Sequence, residues 1–203
     1  MTERDNDASA FFTAVQAAID FGGPGYGDDP VLGFNTASRH VLVLLEDAVA
    51  AFARGSYGTS VFLAITALEE TAKAELLGFR IQKPEGAQKN RGDSLHSHTK
   101  KHALAVRPTT FMGRLPKILG AETCARLQQE ATDGSINRLR ETAIYVSCSA
   151  GGKISAPAMA VDRTRAREIV LLALESADDI LVGWTNESYQ LGKSVEAFIA
   201  QVS

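Results

Sequence analysis

Residues 36–79 decide the fold and read TASRHVLVLLEDAVAAFARGSYGTSVFLAITALEETAKAELLGF. On both sides of Gly55-Ser56, apolar side chains recur every three or four positions, the spacing of one buried helix face. They are Val41, Leu44, Leu45, Ala48, Val49 and Phe52, then Val61, Ile65, Leu68, Ala72, Leu76 and Phe79. We expect one helix from a cap at Thr36 or Ser38 to about Arg54, and a second from Ser56 to about Phe79. Each would be about 30 Å long, and the short link predicts an antiparallel αα-hairpin.

The rest of the chain also has helical periodicity and no strand alternation. We expect helices from Leu95 to the residue before Pro108, in pieces over 109–133, from Ile136 to about Cys148, and from Arg165 through Trp184 or as far as Ile199. A short extended excursion is expected over 153–161. The N-terminal residues 1–30 are predicted to form a short helix (8–20) and a Gly/Pro linker (21–30). Residues 31–203 then form one all-α helical bundle built on the long hairpin.

Composition restricts the class of protein. The chain has 203 residues, 45% of them hydrophobic and 22% charged, which is typical of a globular domain with its own core and excludes collagen-like or wholly disordered chains. No stretch reaches the roughly 18 apolar residues of a membrane span, and the N-terminal MTERDNDASA does not resemble a signal peptide. We therefore expect a cytoplasmic protein without membrane contact. Cys124 and Cys148 are predicted to be two buried free thiols.

Charge is distributed unevenly. The net charge is −3, yet residues 80–117 contain nine basic and two acidic residues, a balance of +7, which leaves −10 for the rest. Three of the four histidines, at positions 96, 98 and 102, lie in the same segment. Such a segment is typical of a surface that faces a polyanion. A solvated loop with scattered lysine and arginine is the alternative.

Three groups of side chains are able to carry chemistry. On the second helix, Glu69 lies at the edge of the apolar face and shares a face with Lys73, its nearest candidate partner, although an exposed i,i+4 pair has the same spacing. On the third, His98, Lys101 and His102 share a face, where a neutral imidazole would serve as a general base. This pair of histidines lacks the further ligands of a zinc site.

Arg140 lies among Leu139, Ala143, Ile144 and Val146 on the predicted fourth helix. An arginine in such apolar surroundings needs an anion, which is either Glu69 or Glu70 within the fold or a phosphate from outside.

The order and spacing of these residues resemble the AbiV abortive-infection branch of the HEPN helical proteins. The resemblance is carried by Gly55-Ser-Tyr57, Ala67-Leu-Glu69-Glu70-Thr-Ala-Lys73, His98-Thr-Lys-Lys101, Leu139-Arg140-Glu-Thr-Ala-Ile-Tyr145-Val, and Pro157 before the last helix. It covers about residues 36–185.

The resemblance implies a dimeric helical bundle, and many HEPN proteins are metal-independent ribonucleases that act as toxins or phage-defence effectors. Arg140 matches the arginine of their active motif. After four intervening residues, Tyr145 stands where the motif has histidine. Tyrosine is a poor base at neutral pH but donates hydrogen bonds to phosphate oxygens. Arg91 with His96 or His98 also fits the motif spacing, at a level expected by chance.

Our first hypothesis is an RNA-cleaving effector. Its candidate catalytic residues are His98, Arg140, Tyr145, Glu69, Glu70 and Lys73, and its candidate RNA- or phosphate-binding residues are Arg91, Lys100, Lys101, His102 and Arg138. We expect no cofactor and no metal. Expected partners are a second copy of the chain, RNA and an activating phage protein.

Two other hypotheses remain open. The protein is alternatively a non-catalytic helical binding module that acts through the basic segment or a protein partner. In the third hypothesis, Glu69, Lys73, Arg140 and Tyr145 form an internal polar network that only specifies helix packing.

Overall fold

A computed structural model describes residues 12–13, 15–17, 19, 25–80, 93–111, 113–148 and 151–203. Its elements are the helices α1 (Pro30–Ala53), α2 (Tyr57–Phe79), α3 (His98–Phe111), α4 (Leu115–Leu119), α5 (Ala121–Thr132), α6 (Ser135–Thr142), α7 (Pro157–Ala160), α8 (Arg163–Leu181) and α9 (Asn186–Val202), a 3₁₀ turn (Ser94–His96), and the strands β1 (Ser147–Cys148) and β2 (Ile154–Ser155). The prediction of an all-α bundle is confirmed. The part of the chain that the structure describes contains no helix long and apolar enough to cross a membrane.

The predicted αα-hairpin is present, and its first helix is longer than expected. α1 and α2 pack against each other along their lengths. The cap expected at Thr36 or Ser38 is wrong, because Asp29 caps α1 by accepting a hydrogen bond from the Leu32 amide at 2.9 Å, and Pro30 occupies the first turn. Proline is favoured there since its fixed φ suits a first turn that needs no amide donor. The end of the predicted 21–30 linker therefore belongs to the helix cap, and residues 21–24 lie outside the described residues.

The core is completed by α8, which packs against both helices of the hairpin. Its side chains from Ile169 to Ala177 are all fully buried. The expected continuation of this helix to Ile199 is wrong, because the chain breaks at Gly183, which has a φ of +97°. α9 then begins behind Thr185, whose side chain caps the Ser188 amide. Few residues other than glycine adopt the left-handed backbone of that turn.

The third helix was expected to end before Pro108, and this prediction is wrong. α3 contains Pro108 and continues to Phe111. Proline removes one backbone hydrogen bond and costs about 3 kcal/mol in a helix interior. Leu104, Ala105, Val106 and Thr109 are nonetheless buried, so tertiary packing on both sides of the proline outweighs its local preference.

The predicted helix from Ile136 to Cys148 is wrong in its second half. α6 ends at Thr142, and the chain then forms a small antiparallel hairpin in which Ser147 pairs with Ser155. Gly58 explains how α6 lies so close to α2, since a Cβ there would come within 2.5 Å of the Ala143 carbonyl oxygen. Both cysteines are free, but Cys148 is exposed on β1, so the prediction of two buried thiols holds only for Cys124.

Candidate functional site

Glu69 is the centre of the candidate site. It lies on α2 between Ala67 and Ala72, which belong to the core, and it is only 4% exposed. A buried carboxylate needs hydrogen-bond donors or cations around it to remain charged. Glu69 therefore marks the point on the hairpin where other helices must supply such groups.

Four side chains donate to the two oxygens of Glu69. Oε2 accepts from His98 Nδ1 at 2.7 Å and from Lys101 Nζ at 3.0 Å. Oε1 accepts from His102 Nε2 and from an Arg140 guanidinium nitrogen, both at 3.0 Å. We call these five residues the Glu69 cluster. Side chains from three separate helices, α2, α3 and α6, thus converge within one chain.

Helix geometry explains the arrangement. His98, Lys101 and His102 lie in the first turns of α3 at positions i, i+3 and i+4, and residues at that spacing share one face. α3 packs against α2 through this region. Arg140 comes from the last turn of α6, which packs across both helices. The i, i+3, i+4 pattern of these three side chains could be recognised in the sequence, but their contact with Glu69 on α2 could not.

The electrostatics of the cluster favour an ionised Glu69. Burial raises its pKa, but hydrogen bonds from His102 and Lys101 and the Lys101 charge outweigh burial, and the pKa falls to about 2. The carboxylate is therefore charged at neutral pH. With one carboxylate, one ammonium and one guanidinium, the cluster carries a surplus of +1 while both imidazoles are neutral.

His98 has the geometry of a carboxylate-oriented base. An ionised carboxylate only accepts, so Nδ1 must carry the proton that it shares with Glu69. The second ring nitrogen, Nε2, then holds a lone pair in the neutral imidazole. The His98 side chain is 46% exposed, so the ring is open to solvent. Arg140 comes within 3.4 Å of Nδ1, but two donors cannot bond each other, so this contact is only a close approach.

His102 has a different environment from His98. It is fully buried, and burial lowers its pKa, which keeps the imidazole neutral. Its Nε2 donates to Glu69, and its Nδ1 is a buried nitrogen without a hydrogen-bond partner among the described residues. His102 is therefore too deeply buried to contact a phosphate as predicted. It lies behind Glu69 and holds the carboxylate in place. Lys101, only 7% exposed, has the same supporting position.

Several other predicted site residues lie outside the cluster. Lys73 does not pair with Glu69; its ammonium bonds Glu70 at 3.1 Å in an i,i+3 ion pair at the surface. Arg138 is exposed and bonds the Ser135 hydroxyl at 2.6 Å. Lys100 is on the exposed side of α3. Arg91 lies outside the described residues.

Tyr145 lies beside the cluster, in an open cleft. This cleft has a volume of about 420 Å³ and is lined by Arg140, Glu141, Thr142, Tyr145 and Ser147. Tyr145 itself is 66% exposed. Arg140 is thus shared by the cluster and the cleft. Ser147 could not be assigned to the cleft from the sequence, because the predicted helix ran on to about Cys148, whereas α6 ends at Thr142. Glu141 and Thr142 lie within α6 and were not singled out.

The basic segment 80–117 is less available to a polyanion than its charge implied. Arg80 forms a buried double hydrogen bond with Asp93, and Arg114 pairs with three carboxylates on α8 and α9. Lys101 is engaged by Glu69. Three of its basic residues thus serve the fold. Within the described residues, no three His, Cys, Asp or Glu side chains gather as metal ligands.

Comparison with known proteins identifies the family. The HEPN family model described as AbiV matches residues 33–178, which include all but the first three residues of the hairpin and every residue of the Glu69 cluster. A search of curated proteins and a search of solved structures returned no match. Because the matched region is well over half of the chain, the chain belongs to the AbiV family of HEPN proteins, the abortive-infection type that its sequence resembles.

Proposed function

We propose that this protein is a metal-independent endoribonuclease that acts in phage defence by abortive infection, arresting translation or growth by cleaving RNA. The observation that carries the proposal is the Glu69 cluster, in which a buried carboxylate orients an exposed histidine beside an arginine with spare donors. Its positive surplus attracts a phosphate group, and the resemblance to HEPN ribonucleases supports RNA as the target.

The proposed reaction is attack by an RNA 2′-hydroxyl on the adjacent phosphorus. His98 Nε2 takes the hydroxyl proton as the general base. Glu69 stabilises the resulting imidazolium through Nδ1, as the buried carboxylate of a catalytic triad does. Arg140 stabilises the charge that develops on the phosphate oxygens. The bond to the 5′-oxygen breaks, and that oxygen leaves with a proton from solvent.

The experiment is RNA cleavage by purified protein in EDTA. We expect wild type to cleave and both His98→Ala and Arg140→Ala to lose at least about 100-fold in rate. His40→Ala and Arg39→Ala are matched controls, since both residues lie on the exposed face of α1, and their rates should equal that of wild type. If wild type cleaves no faster than His98→Ala and Arg140→Ala, the proposal fails.

We also propose that the protein acts as a homodimer. Four large apolar side chains that are 40% to 74% exposed follow Arg140 closely in the chain, and we call them the apolar strip: Ile144, Val146, Ile154 and Met159. A concentration of exposed apolar surface favours contact with another protein. A second copy seated on this strip would bring two clusters toward each other, as the family resemblance implies.

Light scattering coupled to size exclusion tests the dimer. We expect a dimer for wild type and a monomer for Val146→Asp with Met159→Asp. Val43→Asp is the control, because Val43 is similarly exposed on α1 outside the strip. A wild-type monomer, or a dimer unaffected by the strip variants, would refute the dimer proposal.

The apolar strip also supports a second candidate function, a non-catalytic module that blocks growth by binding a protein partner such as a phage protein. This function requires binding without RNA cleavage. Under the third hypothesis, the network is purely structural. Arg140→Ala would then lower the melting temperature markedly, and the wild-type protein would have no RNA-cleaving activity to lose. The cleavage assay together with a melting curve separates the three.

A further inference from the structure

The cleft beside Arg140 has the size and lining of a nucleotide subsite. Its volume of about 420 Å³ falls within the roughly 300–1,000 Å³ of small-molecule pockets. Arg140 forms one wall and also belongs to the Glu69 cluster. A phosphate held by Arg140 at the cluster would therefore have its neighbouring sugar and base at the cleft.

We propose that this cleft binds one nucleotide of the RNA, with Tyr145 as the stacking surface for its base and Glu141 as the group that selects guanine. The inference rests on the proposed function, since the phosphate at Arg140 sets the position of the nucleotide. It adds a base preference, which neither the cluster nor its chemistry supplies.

Tyr145 is suited to stacking because its ring is available. The side chain is 66% exposed, and among the described residues it is packed on no other aromatic ring. Aromatic side chains bind single-stranded nucleic acid by stacking on the base faces, and since every base has such a face, this contact adds affinity without selectivity. Selection must come from a polar group in the cleft.

Glu141 supplies that group. It lines the cleft next to Arg140, and no hydrogen bond or ion pair joins its carboxylate to the described part of the chain. A carboxylate only accepts hydrogen bonds and has two oxygens side by side. Guanine presents two adjacent donors on its Watson–Crick edge, N1–H and the N2 amino group, whereas adenine and cytosine present one amino group and uracil one imino group. The best match is guanine.

The test is binding of single-stranded hexanucleotides with deoxyribose, which lack the attacking hydroxyl and stay intact. Four fluorescein-labelled hexamers carry deoxyuridine at five positions and guanine, adenine, cytosine or uracil at the third. We expect wild type to bind the guanine hexamer at least about fivefold more tightly than the uracil hexamer. Glu141→Gln should reduce this ratio below about twofold, and Tyr145→Ala should weaken all four hexamers by about fivefold or more.

Two controls match these variants. Glu122→Gln changes an exposed carboxylate on α5, and Tyr189→Ala removes a tyrosine on α9 that is 59% exposed; both should bind as wild type does. Absence of binding, absence of a guanine preference, or a preference that persists in Glu141→Gln would overturn the inference. Cleavage of the matching ribonucleotides reports separately on the proposed function. Cleavage without a Glu141-dependent preference refutes the subsite, whereas the preference without cleavage refutes the nuclease and supports the subsite.

Discussion

The protein contains two charged clusters with opposite balances of charge. In the Glu69 cluster, one buried carboxylate is surrounded by Lys101, Arg140 and two histidines. In the other, Arg114 is surrounded by Glu175 at 2.8 Å, Asp178 at 3.0 Å, and Glu196. We call the second the Arg114 cluster. The first has more cations than anions, and the second has more anions than cations.

The pKa directions of the carboxyl groups follow that difference. Burial raises the pKa of Glu69, but its donors overcome burial and lower it to about 2. Burial also raises the pKa of Glu175 and of Asp178, and Arg114 offsets this only in part, so both stay above their usual values. The Arg114 cluster joins the start of α4 to α8 and α9 and has no positive charge to spare. A surplus of cations within the cluster distinguishes this candidate anion site from the Arg114 cluster, which joins helices.

The largest expected effect separates the two arginines by activity. Arg140→Ala should lower RNA cleavage by about 10²–10³-fold, because a donor to the developing phosphate charge is removed. Arg114→Ala should leave the rate per folded molecule within about threefold of wild type, since its carboxylates lie on α8 and α9. Rates measured with fluorescent RNA well below each variant's melting temperature test this. Equal losses of cleavage rate in both variants would contradict the distinction between the Glu69 cluster as the active site and the Arg114 cluster as a structural one.

The next effect is on stability. Glu69→Gln should lower the free energy of unfolding by about 3–5 kcal/mol at pH 7, because it leaves Lys101 buried without its counter-charge. Since the folded pKa of Glu69 is below its ordinary value of 4.5, the stabilisation is present above pH 4.5 and is lost as the pH falls toward 2. Urea unfolding from pH 7 to pH 2.5 should show the two proteins converging.

Glu70→Gln is the control for that experiment, because Glu70 is the next residue and pairs at the surface with Lys73. Its effect should stay below about 1 kcal/mol. If Glu69→Gln is as stable as Glu70→Gln at pH 7, the fold does not depend on the Glu69 carboxylate to neutralise Lys101 and Arg140, and the prediction is wrong.

Glu75 adds a third case to the comparison of carboxyl pKa values, because no cation among the described residues offsets the effect of burial on its pKa. Burial raises its pKa to about 7, and Oε2 has no hydrogen-bond partner in the described structure. A raised pKa means that stability is fully present below pH 4.5 and is lost as the pH rises through 7. Glu75→Gln should therefore be more stable than wild type at pH 8, by up to about 3 kcal/mol, and no more stable at pH 4. Thermal unfolding at both pH values measures this; a gain of equal size at both would contradict it.

The smallest expected effect concerns Lys73. Its ion pair with Glu70 is partly exposed, and such pairs contribute about 0–1 kcal/mol. Lys73→Ala should change the free energy of unfolding by less than about 0.5 kcal/mol and the cleavage rate by less than about twofold. A large loss of activity with unchanged stability would place Lys73 in the site after all.

The sequence predicted what local periodicity determines. The hairpin followed from its apolar spacing, and the shared face of His98, Lys101 and His102 followed from helix geometry. The sequence offered Glu69 or Glu70 as one anion for Arg140, and Arg140 does bond Glu69. The partners of Glu69 on α3 did not follow, because Lys73 was the nearest cation along the chain. The helix ends at Phe111 and Thr142 were also missed, since packing around Pro108 and pairing of β1 with β2 depend on contacts that a single helix pattern does not contain.

The central claim, that the Glu69 cluster performs metal-independent transesterification, is tested most directly by the chemical ends of the RNA fragments. Mass spectrometry of fragments made by wild type in EDTA should find 2′,3′-cyclic phosphate and 5′-hydroxyl ends, and an RNA with a single 2′-deoxy position should stay intact there. Fragments with 3′-hydroxyl and 5′-phosphate ends, or cleavage at the 2′-deoxy position, would contradict the account.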